Sequence, residues 1–143
     1  MSIPTHVTLQ VVSADRSLVN ETVDEVEIPG ADGYFGVLPG HTPLLGLLGA
    51  GELWYRQGPG GANKHYLSIA FGFAEVQPDR VTILAQIAEK ADEIDIARAE
   101  QAKTRAEERV HSFAVDMDAE RARVSLLKAL IRLQVASRAR MRA

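Results

Sequence analysis

Several segments of the first 85 residues alternate between apolar and polar side chains, a spacing that puts every second side chain on one face of a β-strand. Val7, Leu9 and Val11, for example, alternate with Thr8 and Gln10. The alternation predicts strands over 7–12, 23–28, 51–56, 65–70, 72–76 and 81–85, separated by turns at Gly, Pro or Asp-Gly. Many short strands with closely spaced turns are typical of a β-sandwich or barrel.

The stretch from Gly33 to Gly51 is apolar, yet glycines and the prolines Pro39 and Pro43 interrupt it. A long helix would not tolerate so many of these residues. We therefore expect short extended pieces joined by tight turns, with the apolar side chains pointing into the core. The side chains expected to point inward are Val37, Leu38, Leu44, Leu45, Leu47 and Leu48.

The pattern changes after Ala88, where helix-forming residues dominate and Gly and Pro no longer occur. Apolar positions then recur at helical spacing, which predicts one helix to about Val110 and a second after a break at 111–115. Aspartates that can cap these helices are Asp92, Asp95, Asp116 and Asp118. Two helices with a short connection form a hairpin. The predicted fold is therefore α+β with two domains, an antiparallel β-sandwich over 1–88 and an antiparallel two-helix hairpin over 89–143.

The two predicted helices carry unequal apolar surfaces. The first has a narrow stripe formed by Ala99, Ala102, Ala106 and Val110, and alanines bury little area at roughly 25 cal/mol per Å². The second has one stripe at 122, 126, 129, 133 and 136 and another at 124, 127, 131 and 135. The first helix cannot cover both, so we expect the surplus to contact the β domain, a partner, or each in turn. The hairpin is thus a candidate mobile element.

Composition excludes several classes of protein. The 143 residues include no cysteine, which excludes disulfides, thiolate metal sites and cysteine nucleophiles. No apolar run is long enough for a transmembrane helix, and no signal peptide is visible. The net charge of −3 gives no indication of a nucleic-acid partner. Charge is unevenly distributed, however: residues 119–143 hold seven basic residues and the single acid Glu120.

The chain shows no catalytic or metal-binding pattern. His6, His41, His65 and His111 lack the spacing of metal ligands on one helix, and neither a Gly-x-Ser-x-Gly nor a P-loop motif occurs. We therefore predict a non-catalytic protein with no metal site.

Three motifs occur together in the order and spacing of a known family. Val-Leu-Pro-Gly-His-Thr-Pro-Leu-Leu occupies 37–45, Glu-Val-Gln-Pro occupies 75–78, and Ile-Asp-Ile-Ala-Arg-Ala occupies 94–99. With these motifs, nearly the whole chain resembles the ε subunit of bacterial F-type ATP synthase. The resemblance implies a non-catalytic central-stalk subunit that couples proton translocation to ATP synthesis and inhibits ATP hydrolysis through a hairpin that folds or extends. It also implies a peripheral location in the F1 sector, on the cytoplasmic face of the bacterial cell membrane.

The resemblance further implies that the β-sandwich binds the γ subunit and the c-ring, without spanning the membrane or binding nucleic acid. The docking face would comprise exposed turns that contain Asp32, Tyr34, Phe35, His41 and Thr42. From the residues alone, His41 can equally be a turn histidine whose ring bonds nearby backbone.

A nucleotide site is a second expectation. Arg98 and Arg105 are seven residues apart, so they lie on one helix face and could hold phosphate oxygens. The resemblance implies that in some members ATP, as a regulatory ligand rather than a required cofactor, stabilises the folded hairpin. The corresponding residues here are Glu89, Ile94, Asp95, Arg98, Arg105, Lys128 and Arg132. Lys128 stands where those members carry arginine, and lysine lacks the bidentate fork. The alternative is a solvated helix with ordinary i,i+3 ion pairs.

The basic second helix also has two interpretations, a solvated surface or an inhibitory segment. The resemblance implies that, when extended, it inserts beside the catalytic α and β subunits. The residues that would make this contact are Arg121, Arg123, Val124, Leu127, Lys128, Ile131, Arg132 and Val135.

Two other classes of function remain open. A free-standing ligand-binding β-sandwich with a helical dimerisation tail would need a sustained heptad seam, and these helices are short and rich in alanine. A nucleic-acid binder using residues 119–143 would need affinity that falls steeply with salt.

Overall fold

The computed structural model describes residues 3–58, 63–112 and 117–140. The chain divides into two compact units, Met1–Lys90 and Ala91–Ala143. Among the described residues, the first unit holds seven β-strands and the second two α-helices, so the predicted class, a sandwich followed by a helical hairpin, is confirmed. Within the described ranges, neither helix combines the length and the apolar character needed to cross a membrane.

The strands form one continuous sheet in the order β2-β1-β7-β6-β5-β3-β4. Their bounds are β1 Val7–Val12, β2 Ser17–Val23, β3 Glu25–Gly30, β4 Gly33–Val37, β5 Leu44–Gln57, β6 Asn63–Val76 and β7 Arg80–Lys90. Strands β1 and β7 pair in parallel, and the other pairs of neighbours are antiparallel. β5, β6 and β7 are long enough to contribute to both layers of the sandwich.

The sheet folds over on itself along a line across these three strands, which we call the corner. Regular alternation would bury the same set of alternate side chains along a whole strand. Instead, β6 buries Leu67 and Ile69 on one side of the corner and Ala74 and Val76 on the other. The set of buried side chains changes at the same place in β5 and β7. The paired residues Leu48, Gly72 and Ala85 lie on one side of the corner, and the paired residues Gly51, Ile69 and Ala88 lie on the other.

β6 passes the corner through two residues with positive φ, Phe71 at 62° and Gly72 at 124°. A side chain at Gly72 would be strained at this φ, and its Cβ would collide with the carbonyl oxygen of Leu84 on β7. Glycine is therefore required at this point of β6, where the backbone of β7 lies against it.

The core lies between the two layers. Its largest fully buried side chains include Leu9, Ile28, Leu53, Leu67, Ile69 and Ile83. β2 closes the open side of the sandwich against the end of β5: the Tyr55 hydroxyl donates to Glu21 at 3.2 Å, and the Asp24 N–H donates to the Arg56 carbonyl at 3.0 Å.

Several expectations from the alternation are wrong in detail. The predicted strand 51–56 belongs to the longer β5, and 65–70 and 72–76 are both parts of β6. The predicted strand 23–28 is divided between β2 and β3 at Asp24. These differences arise because bends within a strand depend on packing between layers, which Gly and Pro positions alone do not reveal.

The inward orientation of the leucines is also only partly correct. Val37 and Leu48 are buried, but four others are exposed, by 42 to 71%. These exposed side chains are Leu38, Leu44, Leu45 and Leu47. Because side chains alternate between the faces of a strand, consecutive leucines cannot all enter one core.

A short 3-10 turn at Ala91–Glu93 precedes α1, Ile96–Ser112, and α2 covers Met117–Arg140. Asp95 caps α1 as predicted, since its Oδ1 accepts the Arg98 N–H at 3.1 Å. The two helices pack together, and buried alanines lie on both of them, at positions 99, 106, 119, 122, 129 and 136. Asp92, the other candidate for α1, lies in the 3-10 turn instead. The side chains of the candidates for α2, Asp116 and Asp118, lie outside the described part of the chain.

Candidate functional site

Three of the predicted docking residues, Asp32, Tyr34 and Phe35, lie in or just after the tight turn between β3 and β4. Gly30 pairs with Gly33 across a two-residue turn, where the Asp32 side chain is exposed. Phe35 is half-buried and packs against the hydrophobic core, so it contributes to folding. Of the three residues, Asp32 and Tyr34 are exposed to a partner.

Tyr34 combines an exposed ring with a structural role. Its hydroxyl accepts the Glu52 N–H at 3.0 Å. The register between β3 and β5 shifts in this region, next to Pro29, which has no N–H for the ladder. Gly51 makes room for the phenol, because a Cβ there would collide with the Tyr34 hydroxyl. The residue is 56% exposed, so it can still contact a partner.

His41 and Thr42 lie in the loop before β5. The His41 Nδ1 donates to the Thr42 carbonyl at 2.6 Å, and the Gly40 N–H donates to the Pro78 carbonyl at 2.8 Å. This geometry favours the interpretation of His41 as a turn histidine. The Thr42 side chain remains exposed.

A row of exposed apolar side chains, which the alternation did not predict, crosses the outside of the sheet. Leu47, Phe73 and Leu84 are direct cross-strand neighbours on β5, β6 and β7, and they are 62%, 52% and 51% exposed. Leu45, two residues before Leu47 on the same face, is 71% exposed. We call these four residues the outer apolar face. The sequence signal is that Leu44–Leu48 is apolar at both odd and even positions, which indicates two apolar faces.

The surroundings of the outer apolar face are more polar. In the row of Leu45, the neighbours across the sheet are Glu75 and Thr82. Beside them is a cleft of ≈ 370 Å³. It is lined by Pro43, Leu44, Leu45, Glu75, Val76 and Gln77. Single exposed leucines are common on proteins, whereas contiguous ones indicate an interaction surface.

The predicted nucleotide residues differ in exposure and in the contacts they make. Arg98 and Arg105 are both exposed on α1. Asp95 is engaged in capping, and Ile94 is only 7% exposed, so it is a packing residue. The other three, Glu89, Lys128 and Arg132, are half-buried and each has a polar or charged interaction.

A cleft of ≈ 390 Å³ lies beside Arg105. Its described lining residues are Glu100, Gln101, Thr104 and Arg105, so it includes one member of the predicted nucleotide set. Ion pairs also occur along the helices, between Lys103 and Glu107 at 3.9 Å on α1 and between Glu120 and Arg123 at 3.1 Å on α2. The geometry therefore leaves both a phosphate contact at Arg105 and a simple solvated helix open.

The predicted inhibitory residues of α2 fall into three groups by exposure. Ile131 and Val135 are buried, at 8% and 0% exposure, and Leu127 is 45% exposed. Arg121 and Arg123 are exposed, whereas Val124, Lys128 and Arg132 are half-buried. Any state in which α2 used its whole apolar stripe against a partner would first have to release Ile131 and Val135.

Two family models together match nearly the entire chain. Residues 6–91 match the ATP synthase delta/epsilon chain, β-sandwich domain, and residues 92–137 match the ATP synthase delta/epsilon chain, long α-helix domain. The two matches meet within two residues of the division between the compact units.

Similar proteins match nearly the whole chain. The chain is 44% identical to the ATP synthase epsilon chain of Solibacter usitatus, over 94% of this chain and 98% of that one. It is 46% identical to that of Herpetosiphon aurantiacus, over 94% and 96% of the two chains. Its fold is similar to a chain of the Euglena gracilis mitochondrial ATP synthase OSCP/F1/c-ring structure, with a TM-score of 0.79 and 24% identity over 99% of this chain and 84% of the other.

Proposed function

The chain belongs to the ATP synthase delta/epsilon chain family, and on that premise we propose that it is the ε-type subunit of the central stalk of a bacterial F-type ATP synthase. It is a non-catalytic rotor component that couples proton translocation to ATP synthesis. It is peripheral to the membrane, in the F1 sector on the cytoplasmic face.

The β-sandwich docks on the rotor through two kinds of surface. The outer apolar face contacts the γ subunit, because a contiguous row of Leu47, Phe73 and Leu84 gains most by leaving water. The polar side chains of Asp32 and Thr42 are suited instead to the polar loops of the c-ring. The single observation that carries this assignment is the exposed apolar row, within a chain whose family forms part of a larger complex.

The helical unit regulates the direction of catalysis. In its compact state α2 buries Ile131 and Val135, and in an extended state it would place them, with its basic residues, beside the α and β subunits. Charged side chains on such a helix guide its approach and discriminate between partners, and the apolar stripe supplies most of the binding free energy. An inserted helix then opposes rotation in the hydrolysis direction.

Docking is tested by binding the full chain to F1 that lacks this subunit. Leu84→Ser removes an apolar side chain from the outer apolar face, and we expect it to raise Kd about tenfold or more. Ile87→Ser is the matched control, since Ile87 lies on the same strand, is similarly exposed at 44%, and lies beyond the corner. We expect the Kd of this control to stay within about twofold of the wild-type value. Equal binding by all three proteins, with their folds checked by circular dichroism, would contradict docking through the outer apolar face.

A further inference from the structure

Glu75 is the one charged side chain within the two rows that contain the outer apolar face. The rows read Leu47–Phe73–Leu84 and Leu45–Glu75–Thr82 across β5, β6 and β7. Glu75 is exposed and begins the Glu-Val-Gln-Pro motif, and it also lines the adjoining cleft. The proposed apolar contact does not by itself explain a carboxylate at this position.

Glu75 has no ion pair with any residue in the described part of the chain. The nearest candidate in the sheet register is Arg80, diagonal to it on β7, two residues before Thr82. Diagonal neighbours on one sheet face are about 7–8 Å apart at the backbone, yet no Glu75–Arg80 pair forms here. In contrast, Glu25 on β3 is paired with Arg56 of the neighbouring strand.

A partner that covers the outer apolar face must also remove Glu75 from water. Burying an ionised carboxylate without a cation is unfavourable, and this cost offsets part of the gain from the neighbouring apolar contacts. A partner surface that is apolar throughout would therefore bind less tightly than one that carries a cation at this point. A surface with one basic side chain opposite the cleft would satisfy both the leucines and the carboxylate.

We propose that Glu75 pairs with an arginine or lysine of the γ subunit inside the apolar contact, and that this pair fixes the orientation in which the sandwich docks. The proposal rests on the proposed docking function and specifies its partner chemistry. Glu75 determines the specificity of docking, and the leucines and Phe73 supply the apolar surface that is buried in the contact.

The test compares Glu75→Gln with wild type for binding of the full chain to F1 lacking this subunit. Glutamine keeps the size of the side chain and removes the charge, so we expect Kd to rise about tenfold or more. Wild-type affinity should also fall with added salt more than the affinity of the variant does. Asp15→Asn is the matched control, because Asp15 is an exposed carboxylate in the β1–β2 connection, and it should bind as wild type does.

The other outcomes are equally decisive. Wild-type binding by Glu75→Gln, when Leu84→Ser still binds weakly, overturns the ionic pair and leaves the docking function intact. An Arg80→Ala variant that loses affinity as much as Glu75→Gln does would assign the pair to this chain instead of to γ. Dimers of the isolated chain that Leu84→Ser dissociates would make the face a self-interface and overturn the proposal.

Discussion

Gly72 and Tyr34 show how single residues hold the β-sandwich in the shape that presents its outer faces. Gly72 lets β6 turn the corner against the carbonyl of Leu84. Tyr34 supplies a hydroxyl acceptor to the Glu52 N–H where the ladder between β3 and β5 is irregular. Neither role could be predicted from the sequence, because each depends on which strand passes beside the residue. The sequence does show glycines and aromatic residues close to both positions.

Gly72→Ala should destabilise the protein by about 2–4 kcal/mol, because the new Cβ meets the Leu84 carbonyl at a φ that alanine avoids. Gly36→Ala is the control, since Gly36 has open space around it and no positive φ. Its effect should stay within about 1 kcal/mol. The free energy of unfolding from denaturant titration measures both. Similar values for the two variants would show that the corner is not as tightly packed as described.

At the level of elements, features that depend on neighbouring residues could be predicted from the sequence, whereas bends within strands could not. The Asp95 cap of α1 could be predicted because capping involves neighbouring residues only. The continuity of β5 and β6 through the corner could not, since it depends on packing between layers. The same limitation applies to Leu45 and Leu47: their apolar character indicated a strand, but which face was buried depended on the layer above.

Millimolar ATP should stabilise the helical unit if Arg98 and Arg105 hold phosphate on α1. Thermal melting followed at the helical circular-dichroism band measures the effect, since a ligand that binds the folded state raises the melting temperature. Arg98→Ala and Arg105→Ala should each lose most of the shift, whereas Arg109→Ala, another exposed arginine of α1, should keep it. Lys128→Arg should increase the shift by adding a bidentate fork.

The absence of any ATP-dependent shift in the wild-type chain would exclude the nucleotide site. An equal shift in wild type and Arg98→Ala would place the bound nucleotide elsewhere. Either result would leave the solvated-helix interpretation, with its Lys103–Glu107 ion pair, as the account of this face.

For the whole molecule, the change from alternating to helical periodicity after Ala88 correctly predicted a β-sandwich followed by a helical hairpin. The three motifs at 37–45, 75–78 and 94–99 indicated the family. The outer apolar face was not predicted, because only the strand register shows that Leu47, Phe73 and Leu84 are neighbours. The division of the chain into two units also suggests a division of roles, docking in the first and regulation in the second.

The most direct test of that division is the ATP hydrolysis rate of the membrane-bound synthase when residues 91–143 of this subunit are deleted. Residues 1–90 retain all seven strands and the β-sandwich core, so the truncated chain should still dock, and the complex should assemble and pump protons. Without α2 to oppose reverse rotation, hydrolysis should be faster than in the wild-type complex. Failure to assemble, or hydrolysis at the wild-type rate in an assembled complex, would contradict the assignment of docking to the sandwich and restraint to the helices.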